Sequence, residues 1–279
     1  MSEALRRDGE SGIAYRCWDA AGAGTVFLLV HGLGGHAGRW DFFGRYLAQH
    51  GVCAYALELR GFGESAGMPG YIDSFAAYYD DIARLREIAL REHPASRIVL
   101  AGESMGGLIV FALAASRRDI CDGLVCISPA FKSILPFGPL DYGRILFSYL
   151  FNPLRYFRMP IDSRMCTRDT AYQKVMDVHA AERRLVTARL LGTIALTEWA
   201  VEMRRNHLAV PALFLIPGAD RIVDARASEG VFAALDAADK TIIRYPDMYH
   251  ALSIDLGRER VFDDILSWTM KRYGGAGCA

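Results

Sequence analysis

Ser104 stands in the stretch 102-GESMGG-107, directly after the apolar run 97-RIVLA-101, with a glycine two places before it and another two places after. A serine hydroxyl is a weak nucleophile until a base takes its proton, and it must project freely towards a substrate. A tight strand-to-helix turn gives that projection at the expense of strained backbone. It also demands residues without a Cβ where strand and helix nearly collide. Gly102 and Gly106 occupy those places, and Gly107 adds room. The chemistry such a turn serves is acyl transfer, which needs a base, an acid to orient it, and donors for a developing oxyanion.

With the nucleophile on such a turn, acid and base follow it along the chain. Of the seven histidines, His250 in 245-YPDMYHALS-253 lies just beyond the last strand-like run, where a loop could carry an imidazole over the edge of a sheet. His207 lies in the approach to 212-ALFLI-216 and suits a surface role. The acid is sought in 217-PGADRIVDARAS-228. Asp224 directly precedes a helical pattern and reads as an N-cap. Asp220, in the loop itself, is the choice to hold the imidazole tautomer, with Asp247 and Asp255 as weaker alternatives. The oxyanion donors are expected to be the backbone N–H groups of Met105, at the helix start, and of Leu33 in 31-HGLGGHAGRW-40.

That glycine loop admits a second reading. Gly32, Gly34 and Ala37 match a G-x-G-x-x-A dinucleotide fingerprint, with Glu58 ending the next strand where a ribose-binding acid would sit. Against it, a strand-like segment precedes the unit, and Ser104, Asp220 and His250 are left without a role. His31 and His36 are not joined by a carboxylate or cysteine at metal-ligand spacing. No cofactor and no metal is expected.

The elements that must hold these residues alternate between short apolar runs and longer helical patterns, as in a mostly parallel sheet covered by helices on both faces. Strands are expected at 26–30, 52–57, 97–102, 123–128, 212–216 and 241–245, with an antiparallel edge strand in 12–18. Helices are expected around 40–49, 74–92, 106–116, 225–235 and 259–272. More than eighty residues separate Ser128 from Ala212, far beyond an ordinary crossover. The first part of that interval, 131–157, carries eight aromatics in 27 residues against 11% for the whole chain. Its second part, 169–206, reads as helical and more charged. The expected organisation is a hydrolase core over 1–130 and 209–279 interrupted by a helical cap over 131–208. Phe137, Leu140, Phe147 and Phe151 of that cap exceed what one packed face requires, so an acyl pocket or a membrane-contact surface is expected there.

Composition narrows the function further. The 279 residues are 52% hydrophobic and 23% charged, with 32 basic and 32 acidic side chains, so nothing in the charge favours nucleic acid as a partner. The paired arginines at 183–184 and 204–205 read as solvated helix faces. Six cysteines at 17, 53, 121, 126, 166 and 278 form no C-x-x-C pair, and several lie in apolar runs, which fits small buried hydrophobes in a reducing compartment. The N-terminal MSEALRRDGESG has no apolar h-region, and no apolar run reaches the roughly 18 residues of a spanning helix. A cytoplasmic protein is expected.

Taken together, 31-HGLGGHAGRW-40, 59-LRGFGESAGMPGYIDSFAAYYDDI-82, 102-GESMGG-107, 160-PIDSRMCTRDTAYQ-173, 219-ADRIVD-224 and 245-YPDMYH-250 resemble the α/β-hydrolase superfamily, and within it the monoacylglycerol lipase and lysophospholipase branch. The resemblance implies a serine ester hydrolase with Ser104, Asp220 and His250 as triad and the Leu33 and Met105 amides as oxyanion hole. It further implies a cap that covers an acyl-binding tunnel and touches membranes where a lipid ester substrate resides. The chain departs from the branch at Gly35, often Glu there, at Glu103, often His, and at 58-ELRGF-62, often Asp-x-Arg-Gly-His. Met176 stands near the place of a tyrosine that some relatives put at the glycerol end.

Overall fold

A computed structural model describes residues 4–203 and 206–274, so Cys278 and the pair Arg204–Arg205 lie outside the described residues. Ten strands and nine α-helices occur in that part of the chain. Eight strands form one sheet: β1 (Arg6–Arg7), β2 (Ala14–Trp18), β4 (Cys53–Glu58), β3 (Thr25–Val30), β5 (Arg97–Glu103), β6 (Gly123–Ile127), β9 (Ala212–Pro217) and β10 (Lys240–Tyr245), in that spatial order. From β4 to β10 every neighbour is parallel, while β1–β2 and β2–β4 are antiparallel. β2 is therefore antiparallel as expected, but the two-residue β1, too short to show any alternation, takes the edge.

β3, TVFLLV, is buried at every position because helices cover both faces of the sheet, which is why it reads as an unbroken apolar run. Val26, Leu28 and Val30 join the core under α2 (Ala76–Glu92), α3 (Met105–Ser116) and α8 (Ala225–Ala234). Phe27 and Leu29 join the core under α1 (Asp41–Gln49) and α9 (Arg258–Tyr273). α3, MGGLIVFALAAS, is apolar on every side and almost wholly buried, so its N-terminus cannot shift without disturbing the centre of the molecule.

Between β6 and β9 the chain leaves the sheet through α4 (Pro139–Phe151), β7 (Tyr156–Arg158), α5 (Ser163–Cys166), α6 (Thr170–Val178), β8 (Leu185–Thr187) and α7 (Ala188–Met203). The segment expected to form a helical cap is thus helical but not throughout. Helix stops at Val178 and resumes at Ala188, and β7 pairs with β8 in a separate antiparallel ribbon. Arg183 and Arg184 lie in this break, half-buried, rather than on a solvated helix face. α4 packs on α7, where a Cβ on Gly192 would come within 2.1 Å of the Tyr149 ring. Among the described residues no helix is long and apolar enough to cross a membrane.

Candidate active site

Ser104 occupies the single residue between β5 and α3, with φ 59° and ψ −121°. Left-handed φ at a non-glycine residue costs of order 1–3 kcal/mol and persists only where the surroundings hold it. Here the Ser104 N–H donates to the Ile127 carbonyl (2.9 Å), and its own carbonyl accepts from Leu108 (3.1 Å) and Ala130 (3.0 Å). The glycines have the steric reason inferred from sequence. A Cβ on Gly102 would sit 2.3 Å from the Gly106 carbonyl oxygen, and one on Gly106 would sit 2.1 Å from that of Val30.

Asp220 lies in the loop after β9. Its Oδ1 accepts from the amides of Ile222 (2.7 Å) and Val223 (3.0 Å), and its Oδ2 is 2.8 Å from Nδ1 of His250, in the loop after β10. The contact assigns the ring proton to Nδ1, leaving Nε2 as the nitrogen able to accept one. Burial, the largest influence on His250, favours the neutral ring. The charge and hydrogen bond of Asp220, helped by Glu103, outweigh it and raise the pKa above the ordinary 6.5. Burial likewise pushes the Asp220 carboxyl up, but the charge and hydrogen bond of His250 and the two amides bring it below its usual value. Ser104 and His250 line one small cavity with Gly32, Leu33 and Glu103. No hydrogen bond joins the hydroxyl to the imidazole among the described residues, the tight link being Asp220–His250. In resting sites this contact commonly closes only around substrate. A base must be neutral to work, so kcat/KM is expected to fall on the acid side with a midpoint above pH 6.5. A pH–rate profile whose acid limb falls below 6 would contradict this role for His250.

The other acids have separate work. Asp224 caps α8 through the Arg226 amide (3.0 Å), as expected, and Asp247 is exposed. Asp255 is buried and accepts from Thr167 Oγ1, the Arg168 amide and the Tyr249 amide, tying the cap to the His250 loop. His207 is half-exposed beside Asp236. Glu103 was not singled out as a functional residue by sequence. Buried next to Ser104, it accepts from the Ser253 amide (3.0 Å) and hydroxyl (2.9 Å), fastening the His250 loop directly to the serine turn. Nothing local marks such a contact, because its partners are 150 residues apart.

Leu33 and Met105 both border Ser104, and neither N–H has a hydrogen-bond acceptor among the described residues. The Met105 amide is one of the donors that a helix start leaves without an internal partner. The Leu33 loop is braced from within. His31 Nδ1 meets the Gly32 carbonyl (2.9 Å), its Nε2 accepts from the Leu59 amide (3.1 Å), and burial lowers its pKa to about 4. Glu58 accepts from the Ala37 amide (3.0 Å) and is roofed by Gly63, so it does not lie open to a ribose. The loop is also strapped to the segment 179–187: the Arg183 amide donates to the Gly34 carbonyl (2.8 Å), and half-buried Arg39 forks onto Glu182, Nε to Oε1 being 2.7 Å. Here lies the reason for the break between α6 and α7.

Two cavities meet at Ser104. The smaller has a mixed lining, in which Arg39, Glu103, Glu182, Arg183 and Arg184 stand beside Met159, Ile161, Cys166 and Met176. The larger, about 160 Å³, is mainly apolar, lined by Leu33, Met105, Leu135, Phe137, Ile145 and Ile194 among others. Of the four cap residues singled out for their apolar excess, Phe137 lines this cavity. Leu140, Phe147 and Phe151 do not: they are 82%, 61% and 71% exposed, because α4 turns Ile145 and Ser148 inward and carries apolar side chains on its outer face as well. Met176 borders the smaller cavity rather than the larger one.

A mostly parallel sheet with a strained serine turn at its carboxyl edge, and an acid and an imidazole on its last two loops, defines an α/β-hydrolase. Residues 10–257 match the family described as serine aminopeptidase S33, and the chain belongs to that family. It is 27% identical to a monoglyceride lipase of Mus musculus, over 94% of this chain and 89% of that protein. It is 28% identical to a monoacylglycerol lipase of Mycolicibacterium smegmatis, over 92% of each. Among solved structures, a soluble variant of the Saccharomyces cerevisiae monoglyceride lipase in complex with a substrate analogue superposes with a TM-score of 0.86 at 19% identity. That match covers 97% of this chain and 96% of the yeast one.

Proposed function

We propose that this protein is a serine hydrolase that cleaves carboxylic esters of a medium or long acyl chain with a small polar alcohol, of the monoacylglycerol or lysophospholipid kind, with residues 131–208 as its cap. The observation that carries this reading is the position of Ser104 where a mainly apolar cavity meets a smaller one of mixed lining that carries the charged groups Arg39, Glu182 and Arg183. An ester placed there has its acyl chain among Phe137, Ile145 and Ile194 and its alcohol towards Arg183 and Glu182. His250 Nε2 takes the Ser104 proton as Oγ attacks the carbonyl carbon. The oxyanion forms against the Leu33 and Met105 amides, and collapse expels the alcohol, protonated by the imidazolium. Water, deprotonated by the same ring, then releases the acid and frees the serine. Each oxyanion donor is worth about 3 kcal/mol of barrier in such sites.

The family description suggests peptide bonds as the alternative, since an aminopeptidase needs a free carboxylate to hold a substrate ammonium. Both carboxylates of the small cavity are committed, Glu182 to Arg39 and Glu103 to Ser253, which favours the ester. The outer face of α4, with Leu146, Leu150 and Phe151 exposed, continues at Leu154 and is suited to resting on a lipid surface. The five described cysteines are free and buried, in keeping with a reducing, cytoplasmic setting. A series of p-nitrophenyl esters is expected to give kcat/KM rising from acetyl to at least octanoyl. A maximum at acetyl would overturn the acyl-pocket assignment.

A further inference from the structure

The antiparallel pairing of β2 with β4 sets Cys17 opposite Tyr55 and Trp18 opposite Ala54, so the next residue, Asp19, comes opposite Cys53. Residues opposite each other, and those two further along, share one face of a sheet. Cys17, Asp19 and Cys53 therefore lie on the face covered by α2, and α2 ends with His93 as its C-cap. The Asp19 carboxylate, the Cys53 thiol and the His93 imidazole have their ligand atoms all within 4.8 Å of one another. His93 Nε2 is 3.4 Å from Asp19 Oδ1, and Cys53 Sγ is 3.8 Å from the same oxygen.

We propose that Asp19, Cys53 and His93 form a binding site for a divalent transition-metal ion of the zinc class. Bond lengths of about 2.3 Å to sulfur and about 2.1 Å to nitrogen and oxygen, arranged tetrahedrally, give edges of about 3.4 Å between N and O and about 3.6 Å between S and O. His93 and Cys53 stand 3.4 and 3.8 Å from Asp19 Oδ1, close to those edges. The donor set, one sulfur, one imidazole and one carboxylate, is of the type that selects zinc over magnesium or calcium. Cys53 is buried while Asp19 is exposed, which leaves one side open for entry and for a water as fourth ligand. On binding, the thiol gives up its proton to solvent. The site is separate from the serine turn, since Cys53 begins β4 whereas Ser104 follows the end of β5, at the opposite end of the parallel strands.

The test is a titration of the whole protein with Co(II), kept reduced by a phosphine. The expected result is one equivalent bound with the strong visible bands of tetrahedral cobalt and sulfur-to-metal charge transfer, displaced by Zn(II), and a Tm that rises with Zn(II). Asp19→Ala removes an exposed ligand without touching the core and should weaken binding by at least the roughly 10–100-fold that losing a supporting group costs. Cys53→Ser should lower the charge-transfer intensity. Weak octahedral bands, no binding at one equivalent, or a spectrum unchanged in both variants would overturn the proposal. None of these readings depends on esterase activity.

Discussion

Ser104→Ala is expected to lower kcat by about 10⁶, the loss seen when the nucleophile of a serine hydrolase is removed. The Ser104 side chain makes no hydrogen bond among the described residues, and its backbone bonds to Ile127, Leu108 and Ala130 do not involve the hydroxyl. Alanine at φ 59° inherits the same strain, so Tm should stay within about 2–4 °C, the shift that corresponds to about 1 kcal/mol in a domain of this size. A fluorophosphonate should label the native protein and leave the variant unlabelled. A native protein that resists labelling, or a variant retaining a tenth of the turnover, would remove the hydroxyl from the mechanism.

Asp220→Asn should cost about 10⁴ in kcat, as when the acid of such a triad becomes an amide. The native carboxylate uses one oxygen for the amides of Ile222 and Val223 and the other for His250. Asparagine has a single acceptor oxygen. If it holds the loop amides, its NH₂ faces Nδ1 and drives the ring proton onto Nε2, where the serine proton must go. If it faces the ring instead, two buried amides meet a donor. Losing the charge also removes the main support of the raised His250 pKa, so the acid limb of kcat/KM should move to lower pH. A purely structural defect would reduce turnover without moving that limb, and an unmoved limb would count against the assignment.

The parts of this fold legible in the sequence are those governed by local rules. β3 through β6 and β9 announce themselves as apolar runs because both their faces are covered, and the serine turn does so through three glycines that steric contact requires. Asp220 and His250 could be chosen because each follows a strand whose end is visible. What could not be read depends on partners far apart in the chain. The break at 179–187 looks helical by composition and is bent away from helix to reach Gly34 and Arg39. The direction in which α4 turns Phe147 and Phe151 is set by α7, and in a helix rich in apolar residues on several sides periodicity does not tell inside from outside. Glu103–Ser253 joins two loops with nothing in either stretch to announce it.

The Arg183–Gly34 and Glu182–Arg39 connections bind half of the lid to the backbone expected to stabilise the reacting carbonyl. That half cannot swing aside without pulling the Leu33 amide out of register. Were the proposed substrate a bulky lipid, room for it would have to come from the α4 flank, whose outer side chains are greasy; an opening there would leave the catalytic alignment undisturbed.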